Sequence, residues 1–524
     1  MLLQRIANPG IRLGTLFDRG AARHPGNTMT LDHELDVAPE LGRRLSIAQV
    51  ADLVAEVASR LWAAGVRTGE RVVVYKTDGF DITLLACAVS RIGAVPVLLS
   101  PMLDGDTVVE LIRRTGRPFL VTDQAKLSDE LPETVFELAQ KVLLTSGENP
   151  SATTLRSLAG CRRIAAVTVS PDEPALITHT SGTTGTPKLA VHTGRTLQAR
   201  YRPQVAAVTP FLRKGETVAI HVSFVHSRLF TALAISLLRG FHILVLVDSD
   251  PAKAADLFAE LRPGIVEAHP NSFMAWEDMA DDPRRPLANV KFFSSTFDAI
   301  HPRTVHRLLK ATERKAPMFG QIYGQSEVGP ALFRAFTRRH SDRDDGRCVG
   351  MPFPGMTGVR VVSRNGMPPS EENPGYIEVR SDGRIKTYLD EQERYDRQVS
   401  DGGWWRMGDV GYRTKCGCVH LLDREVDLIE GFGSTLAVED ALFGKLSELK
   451  EVVIVAGPDG VAVPVVSVKG DQSLDLDAWR KAAVGLPPMA DPVQWRLEDL
   501  PQTATIKIKR LELAKMLASR GQDA

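Results

Sequence analysis

The sequence has no excess of charge of either sign: 64 Lys+Arg stand against 64 Asp+Glu in 524 residues. A protein whose main partner is nucleic acid or an anionic membrane favours a strongly basic surface, so neither partner is expected. The neutral total leaves room for a local anion site. Cysteine is scarce: the five, at 87, 161, 348, 416 and 418, are odd in number and scattered. That excludes a secreted disulfide framework and fits a reducing compartment. Long apolar runs are missing too, since 82–100 is broken by Arg91 and 241–247 is too short to span a bilayer. The opening MLLQRIANPGIRLGTLF lacks the apolar core of a signal peptide, so a cytoplasmic protein is expected. Neither an internal repeat nor a low-complexity tract occurs, and the pattern specifies no oligomeric state. Lysine supplies only 18 of the 64 basic residues, which makes a lysine at a motif position more informative.

What is present begins with length, enough for three or four units of roughly 150 residues and for a large core without disulfide or metal staples. The first half alternates β-rich runs with helical patterns. VVVYK (72–76), a helical 80–93, VPVLL (95–99), a helical 106–116 and PFLVTD (118–123) follow one another. The rhythm returns in TVAIHVSF (217–224), helical 230–240, HILVLV (242–247), helical 251–263 and GIVEA (264–268). Such alternation predicts βαβ units and buried parallel sheets. The charged run 338–347 reads as a solvated loop, and beyond it GVRVVS, GYIEVRS and CVHLLDR alternate like antiparallel strands. The last hundred residues form a further short α/β pattern, with strands in 451–457 and 461–470 and a helix over 511–520.

The sharpest feature is THTSGTTGTPK (178–188). Its glycines let backbone N–H groups approach phosphate oxygens, its hydroxyls add donors, and Lys188 adds a point charge. It is not the common phosphate loop, because Pro187 precedes the lysine and no Ser or Thr follows it.

At these residues the chain resembles the adenylate-forming superfamily of acyl-CoA synthetases, luciferases and peptide-synthetase adenylation domains. YGQSE (323–327), RMGDVGY (406–412), LLDREVDLIEGFG (421–433) and PQTATIKIKR (501–510) are similar to further motifs of that family, in its order. The resemblance covers nearly the whole chain. It implies an α/β fold with a core over 1–425, including a β-rich subdomain at about 340–425, and a small swivelling α+β domain over 426–524. It also implies a two-step reaction. A carboxylate attacks the α-phosphate of ATP to give an acyl-adenylate and pyrophosphate, and the thiol of coenzyme A then displaces AMP. Such a site supplies positioning and fixed positive charge more than covalent chemistry.

Carried over residue by residue, the resemblance gives Thr180, Ser181, Gly182, Thr183, Thr184, Gly185 and Lys188 to the β- and γ-phosphates. Ser295, Thr296, Tyr323, Gly324 and Gln325 border the base, Ser326 meets the α-phosphate, and Asp409 and Arg424 hold the ribose side. Glu327 is the implied Mg2+ ligand, since that hard ion prefers carboxylate and phosphate oxygens. Lys507 would bring its ammonium between the two negative groups that must meet. His226 either gates entry of the carboxylate or fills core. Phe224, Phe293, Phe297, Phe319 and Tyr323 predict an apolar acyl pocket, and Val426 marks the hinge. Cys416 and Cys418 alternate in a hairpin with no further Cys or His beside them, and read as structural.

Several positions depart from the family pattern. Leu189 follows the loop lysine, SSTFD (294–298) replaces a small-residue turn, and Met407, Val426 and Ile506 stand where Thr, a charged residue and Gly are usual. They cluster on nucleotide and hinge positions. Three alternatives to a full acyl-CoA ligase therefore stay open: an enzyme that mainly thioesterifies a preformed acyl-adenylate, one whose acceptor is a carrier protein, and a non-catalytic nucleotide- or acyl-binding protein.

Overall fold

The structure is a computed structural model and describes residues 10–180, 186–208, 212–296, 300–339, 345–457, 459–502 and 508–520. Ser181 to Gly185 of the glycine-rich loop, Phe297, the run 340–344, Ile506 and Lys507 lie outside the described residues.

Two large sheets organise the chain. The first runs, in order, through Thr387–Tyr388, Leu189–Thr193, Pro174–His179, Val95–Leu98, Arg71–Val74, Phe119–Thr122, Lys141–Leu144 and Thr153–Thr154. From Pro174–His179 onward its neighbours are parallel, and the two strands at its other end are antiparallel. Val72, Val73 and Val74 are buried on both faces, as the continuous apolar run requires. The stretch 82–100 divides into helix Asp81–Arg91 and strand Val95–Leu98, with a reversal at Gly93, whose φ of +74° suits glycine. Among the described residues no helix is long and apolar enough to cross a membrane.

The second sheet contains the parallel strands Thr217–His221, His242–Val245, Ile265–Ala268, Phe292–Ser295 and Met318–Gln325. It passes without a break into antiparallel pairing: Met318–Gln325 pairs with Gly329–Phe336, which pairs with Cys348–Pro352, and the ladder continues through Val419–Arg424 and Trp404–Arg413. The β-rich segment thus shares the hydrogen-bonded sheet of the preceding βαβ units.

Between the two sheets lies one apolar core. Val72, Val74 and Leu98 from the first sheet and Val218, Ile220 and Ile243 from the second meet around helices Ile47–Ala63, Asp81–Arg91 and Ser227–Arg239. Each such side chain contributes roughly 1.5–3 kcal/mol by leaving water. The opposite face of the second sheet has its own core, where Phe293 and Phe319 pack with Phe258, Phe273 and Trp276. The last hundred residues form a separate three-stranded sheet, Leu449–Ala456, Ala462–Val468 and Val493–Gln494, with helices Thr435–Lys445, Leu476–Ala483 and Arg510–Arg520. The fold is mixed α/β, with large parallel sheets flanked by helices, as the alternation of patterns predicts.

Candidate active site

A cavity of about 820 Å3 is bounded by the segments leaving the parallel strands, the start of helix Ser227–Arg239, and strands Trp404–Arg413 and Val419–Arg424. Residues of the C-terminal unit, among them Glu439, Phe443 and Arg510, close its far side. Thr180, Lys188, His226, Thr296, Tyr323, Gly324, Gln325, Ser326, Glu327, Asp409, Arg424 and Val426 all line it. The structure therefore gathers these motif residues around one space, while Ser295, expected to border the base, is buried and does not line it.

The phosphate end is built on local geometry. Thr180 N donates to Lys188 O (2.9 Å) and Lys188 N to Thr180 Oγ1 (3.1 Å), tying the two ends of the glycine-rich segment together. Lys188 Nζ donates to the Tyr388 hydroxyl (3.0 Å), which donates to Glu327 Oε1 (2.6 Å); Lys188 and Glu327 stand 3.4 Å apart. Burial and the Glu327 charge push the Tyr388 phenol up, so it stays a neutral donor. Tyr388 has no place in the motifs. It arrives from an edge strand paired with Leu189–Thr193, and nothing in its local sequence marks it.

Arg200 fixes the turn that carries Ser326 and Glu327. Its guanidinium donates to Gly383 O (2.7 Å), Ser227 Oγ (2.8 Å), Ser326 O (2.8 Å) and Glu327 O (3.1 Å). Burial pulls it down to about 9. The turn tolerates nothing larger than glycine at two points. A Cβ on Gly324 would lie 2.1 Å from Gly329 O, and Gly329 has φ +72° with Arg200 Cγ 2.6 Å from where its Cβ would be. His226 Nδ1 accepts from Arg228 N (3.1 Å), leaving Nε2 to donate to Ser326 Oγ (3.3 Å). Burial, with the Arg200 charge, lowers His226 to about 3, so the ring is a neutral donor beside Ser326.

On the nucleoside side, the Tyr323 hydroxyl donates to Asp409 Oδ2, and Asp409 faces Arg424 across the antiparallel ladder. Gln325 is clamped to the same strand: its Nε2 donates to Met407 O, and its Oε1 accepts from Trp405 Nε1 (3.3 Å). Met407 and Leu189, two of the departures, are buried core residues. Val426 is 49% exposed on the short turn Glu425–Asp427.

The aromatic lining expected for the second pocket is corrected. Phe224 lies in the core between the sheets, and Phe293 and Phe319 lie in the core behind the second sheet; none lines the cavity. Phe319 shares a strand face with the cavity residues Gln321 and Tyr323 but lies nearer the start of the strand, so sharing a face does not by itself place a side chain in the cavity. The wall mixes apolar residues, Val225, Met274 and Ile322 among them, with buried polar ones. Gln204 Nε2 donates to Thr231 Oγ1 (3.0 Å), and Arg228, 7% exposed, pairs through Nε with Glu267 and donates Nη2 to Ser294 Oγ (3.2 Å). Burial pushes the Glu267 carboxyl up against the opposing pull of Arg228. Arg228 Nη1 and Gln321 Oε1 are buried with no hydrogen-bond partner among the described residues. Ser295 is fully buried, and its hydroxyl also lacks a partner. Arg228 escaped the sequence reading, although its signal is there: a cation in the first turn of the apolar SRLFTALAISLL opposes the helix dipole.

Cys416 and Cys418 occupy the turn between Trp404–Arg413 and Val419–Arg424. The expectation that no further Cys or His stands near is corrected, since Cys348 pairs with His420 in the adjoining ladder and burial with Cys416 and Cys348 pushes Cys418 up to about 11. All five thiols are free. Among the described residues no group of three or more His, Cys, Asp or Glu could hold a metal ion. Glu327 fits Mg2+ in another way, because that ion is commonly held by one or two carboxylates together with substrate phosphates.

The fold and the gathered motifs define an adenylate-forming enzyme. The chain belongs to the AMP-binding enzyme family, whose model matches residues 17–389. It is 45% identical over 540 residues to a 3-amino-2-hydroxy-4-methoxybenzoate diazotase of Streptomyces cremeus, covering 98% of this chain and 97% of that one. A 3-aminoavenalumate diazotase of a Streptomyces species is 25% identical, covering 92% and 90%. Among solved structures, an anthranilate CoA ligase, AuaEII, in complex with anthranoyl-AMP aligns with TM-score 0.81 at 16% identity over 99% of both chains.

Proposed function

We propose that this protein is an ATP-dependent diazotase acting on an amino-substituted benzoate. The observation that carries the reading is the 45% identity, along almost the whole of both chains, to a diazotase of an aminohydroxybenzoate. Buried polar side chains in the cavity wall, Gln204, Arg228 and Gln321 among them, agree with a substrate that carries polar substituents.

Diazotisation joins a second nitrogen to an aromatic amine, and that nitrogen must arrive at the N(III) level. Nitrite is an N(III) oxyanion, and an adenylate-forming site activates oxyanions. A nitrite oxygen attacks the α-phosphorus, forming an O–P bond as the bond to pyrophosphate breaks. The amine then attacks the nitrite nitrogen, the N–O bond breaks, and AMP leaves with that oxygen. The N-nitroso product tautomerises and loses water to give the diazonium. The two nitrogens exchange electrons with each other, so no external oxidant is needed.

Lys188 and Lys507 supply cations along the phosphate chain, with Thr180 and the loop 181–185 donating to the β- and γ-phosphates. Mg2+ held by Glu327 would neutralise charge on the phosphates. Tyr323, Gly324, Gln325 and Thr296 border the base, Asp409 and Arg424 take the ribose side, and His226 orients Ser326 toward the α-phosphate. The chain divides at 425/426, and Val426 is the hinge about which Lys507 moves.

The second reading is a CoA ligase that adenylates the benzoate carboxylate itself. The retained YGQSE, RMGDVGY and PQTATIKIKR strings and the fold shared with anthranilate CoA ligase favour it. The discriminating experiment measures AMP release from ATP with 3-amino-2-hydroxybenzoate, adding nitrite or CoA in turn. Nitrite-dependent, CoA-independent AMP with a new diazo absorbance is expected. CoA-dependent AMP without nitrite would replace the diazotase reading with the ligase, and silence in both arms across a panel of aminobenzoates would leave a binding protein.

A further inference from the structure

Two arginines are buried in the cavity wall, and they differ in how their donors are used. Arg200 donates from Nε, Nη1 and Nη2 to protein acceptors. Arg228 is held through Nε by Glu267 and through Nη2 by Ser294 Oγ, while its Nη1 is buried with no acceptor among the described residues. An unmet guanidinium donor in a dry wall is costly unless a ligand completes it. Its surroundings select an anion: Arg228 sits in the first turn of the thirteen-residue helix Ser227–Arg239, where the helix dipole also favours negative charge.

Strand register separates this point from the nucleotide. Glu267 and Ser294 are partners on neighbouring parallel strands and share a face. Gln321 pairs with Ser295 in the next row, so Gln321, and Tyr323 two residues on, project to the other face. The anion that meets Arg228 is therefore approached from the side opposite Tyr323. SSTFD, a departure from the family pattern, acquires a use here, because its first hydroxyl, that of Ser294, buttresses Arg228.

We propose that Arg228, set by Glu267 and Ser294, is a specificity residue that takes the carboxylate of the aminobenzoate as an unreacting handle. This rests on the diazotase reading. If nitrite is the oxyanion activated at the α-phosphate, the ring carboxylate is left intact and needs a separate counter-charge. The fixed carboxylate then sets which ring position presents the amine to the activated nitrogen.

The test pairs 3-amino-2-hydroxybenzoate with 2-aminophenol, the same ring without the carboxylate. Equilibrium binding to the full chain without nitrite or ATP should favour the carboxylate by about 10- to 100-fold, the range for a hydrogen bond to a charged group. The double variant Arg228→Met, Glu267→Gln leaves no unpaired buried carboxylate and should bring the two probes within about 3-fold, with Tm as the check on folding. Equal binding by the parent protein, or an undiminished preference in the folded double variant, overturns the proposal. Should that variant not fold, Arg228→Lys replaces it, with loss of most of the preference expected and its full retention overturning the proposal. Isotope transfer keeps the two claims apart. With 18O in nitrite, AMP should carry the label; with 18O in the probe's carboxylate, AMP should carry none. Label passing from the carboxylate sinks the diazotase reading and the unreacting role together. Label from nitrite alongside indifferent binding sinks only the role of Arg228.

Discussion

The two ends of the cavity are made from similar parts and differ in how tightly those parts are set. At the phosphate end, Lys188 and Glu327 stand 3.4 Å apart with the Tyr388 hydroxyl bridging them. At the other end, Arg228 and Glu267 are in direct contact, and both are buried. A lysine is a compact charge on a flexible stem, suited to exchanging one partner for another as phosphates arrive and leave. A guanidinium is a rigid fork with separate donors, so Arg228 can keep Glu267 and Ser294 while Nη1 recognises a ligand. On the proposed reading, one end responds to charge that changes during the reaction and the other to charge that does not.

The comparison breaks most visibly at Glu327. Glu327→Gln keeps an acceptor for Tyr388 but removes the charge, and nitrite-driven ATP–pyrophosphate exchange should fall by about 100-fold or more. Exchange within a few-fold of the parent would remove Glu327 from the reaction. Next in size is Arg228→Lys, which keeps the charge and loses the fork. KM for the aminobenzoate should rise about 10-fold while kcat changes little, and an equal fall in kcat would mean that Arg228 also acts on the reacting atoms. Tyr388→Phe removes only the bridging hydroxyl. Exchange should fall by a few-fold, and stability by about 1 kcal/mol in urea unfolding, because one buried hydrogen-bonded bridge is lost. An unchanged exchange rate would make Tyr388 a packing residue.

The smallest effect on activity concerns pH. Burial lowers His221 to about 4 and His226 to about 3, and neither ring nitrogen of His221 has a hydrogen-bond partner among the described residues. A histidine whose folded pKa lies below its unfolded value near 6.5 contributes stability that is full above pH 6.5 and lost as pH falls toward the folded value. His221→Phe should therefore match the parent at pH 7.5 and exceed it by about 2 kcal/mol at pH 5. Parallel Tm–pH curves for the two proteins would show that His221 does not carry this loss. His226, neutral across this range, should leave no inflection in kcat between pH 5 and 8.

Much of the fold was legible because each helix and strand announces itself locally. Arg71–Val74, Asp81–Arg91, Val95–Leu98 and Gly105–Thr115 follow the sequence rhythm closely. Strand Thr217–His221 stops short of the expected 224, since from Val222 the chain turns toward the helix capped by His226. The site was half legible. Thr180, Lys188, the YGQSE turn, Asp409 and Arg424 came from motifs whose spacing is set by one short piece of chain. Tyr388, Arg200 and Arg228 did not, because their partners lie far away in sequence. The aromatic pocket failed for a related reason: Phe319 shares a strand face with the cavity residues Gln321 and Tyr323 but lies nearer the start of the strand, where it packs with Phe293 in the core.

By itself, then, the sequence determined the class of chemistry, a phosphate-handling adenylate-forming enzyme, because a glycine- and hydroxyl-rich segment ending in lysine and the short strings that follow it in order carry their meaning in local spacing. The tertiary structure decided what the second half of the cavity is made of. Arg228, Glu267 and Ser294 are separated by dozens of residues and meet only because parallel strands place Ile265–Ala268 beside Phe292–Ser295 under the start of helix Ser227–Arg239. Hydrogen bonds and close charge pairs depend on distance in space, to which distance along the chain is no guide.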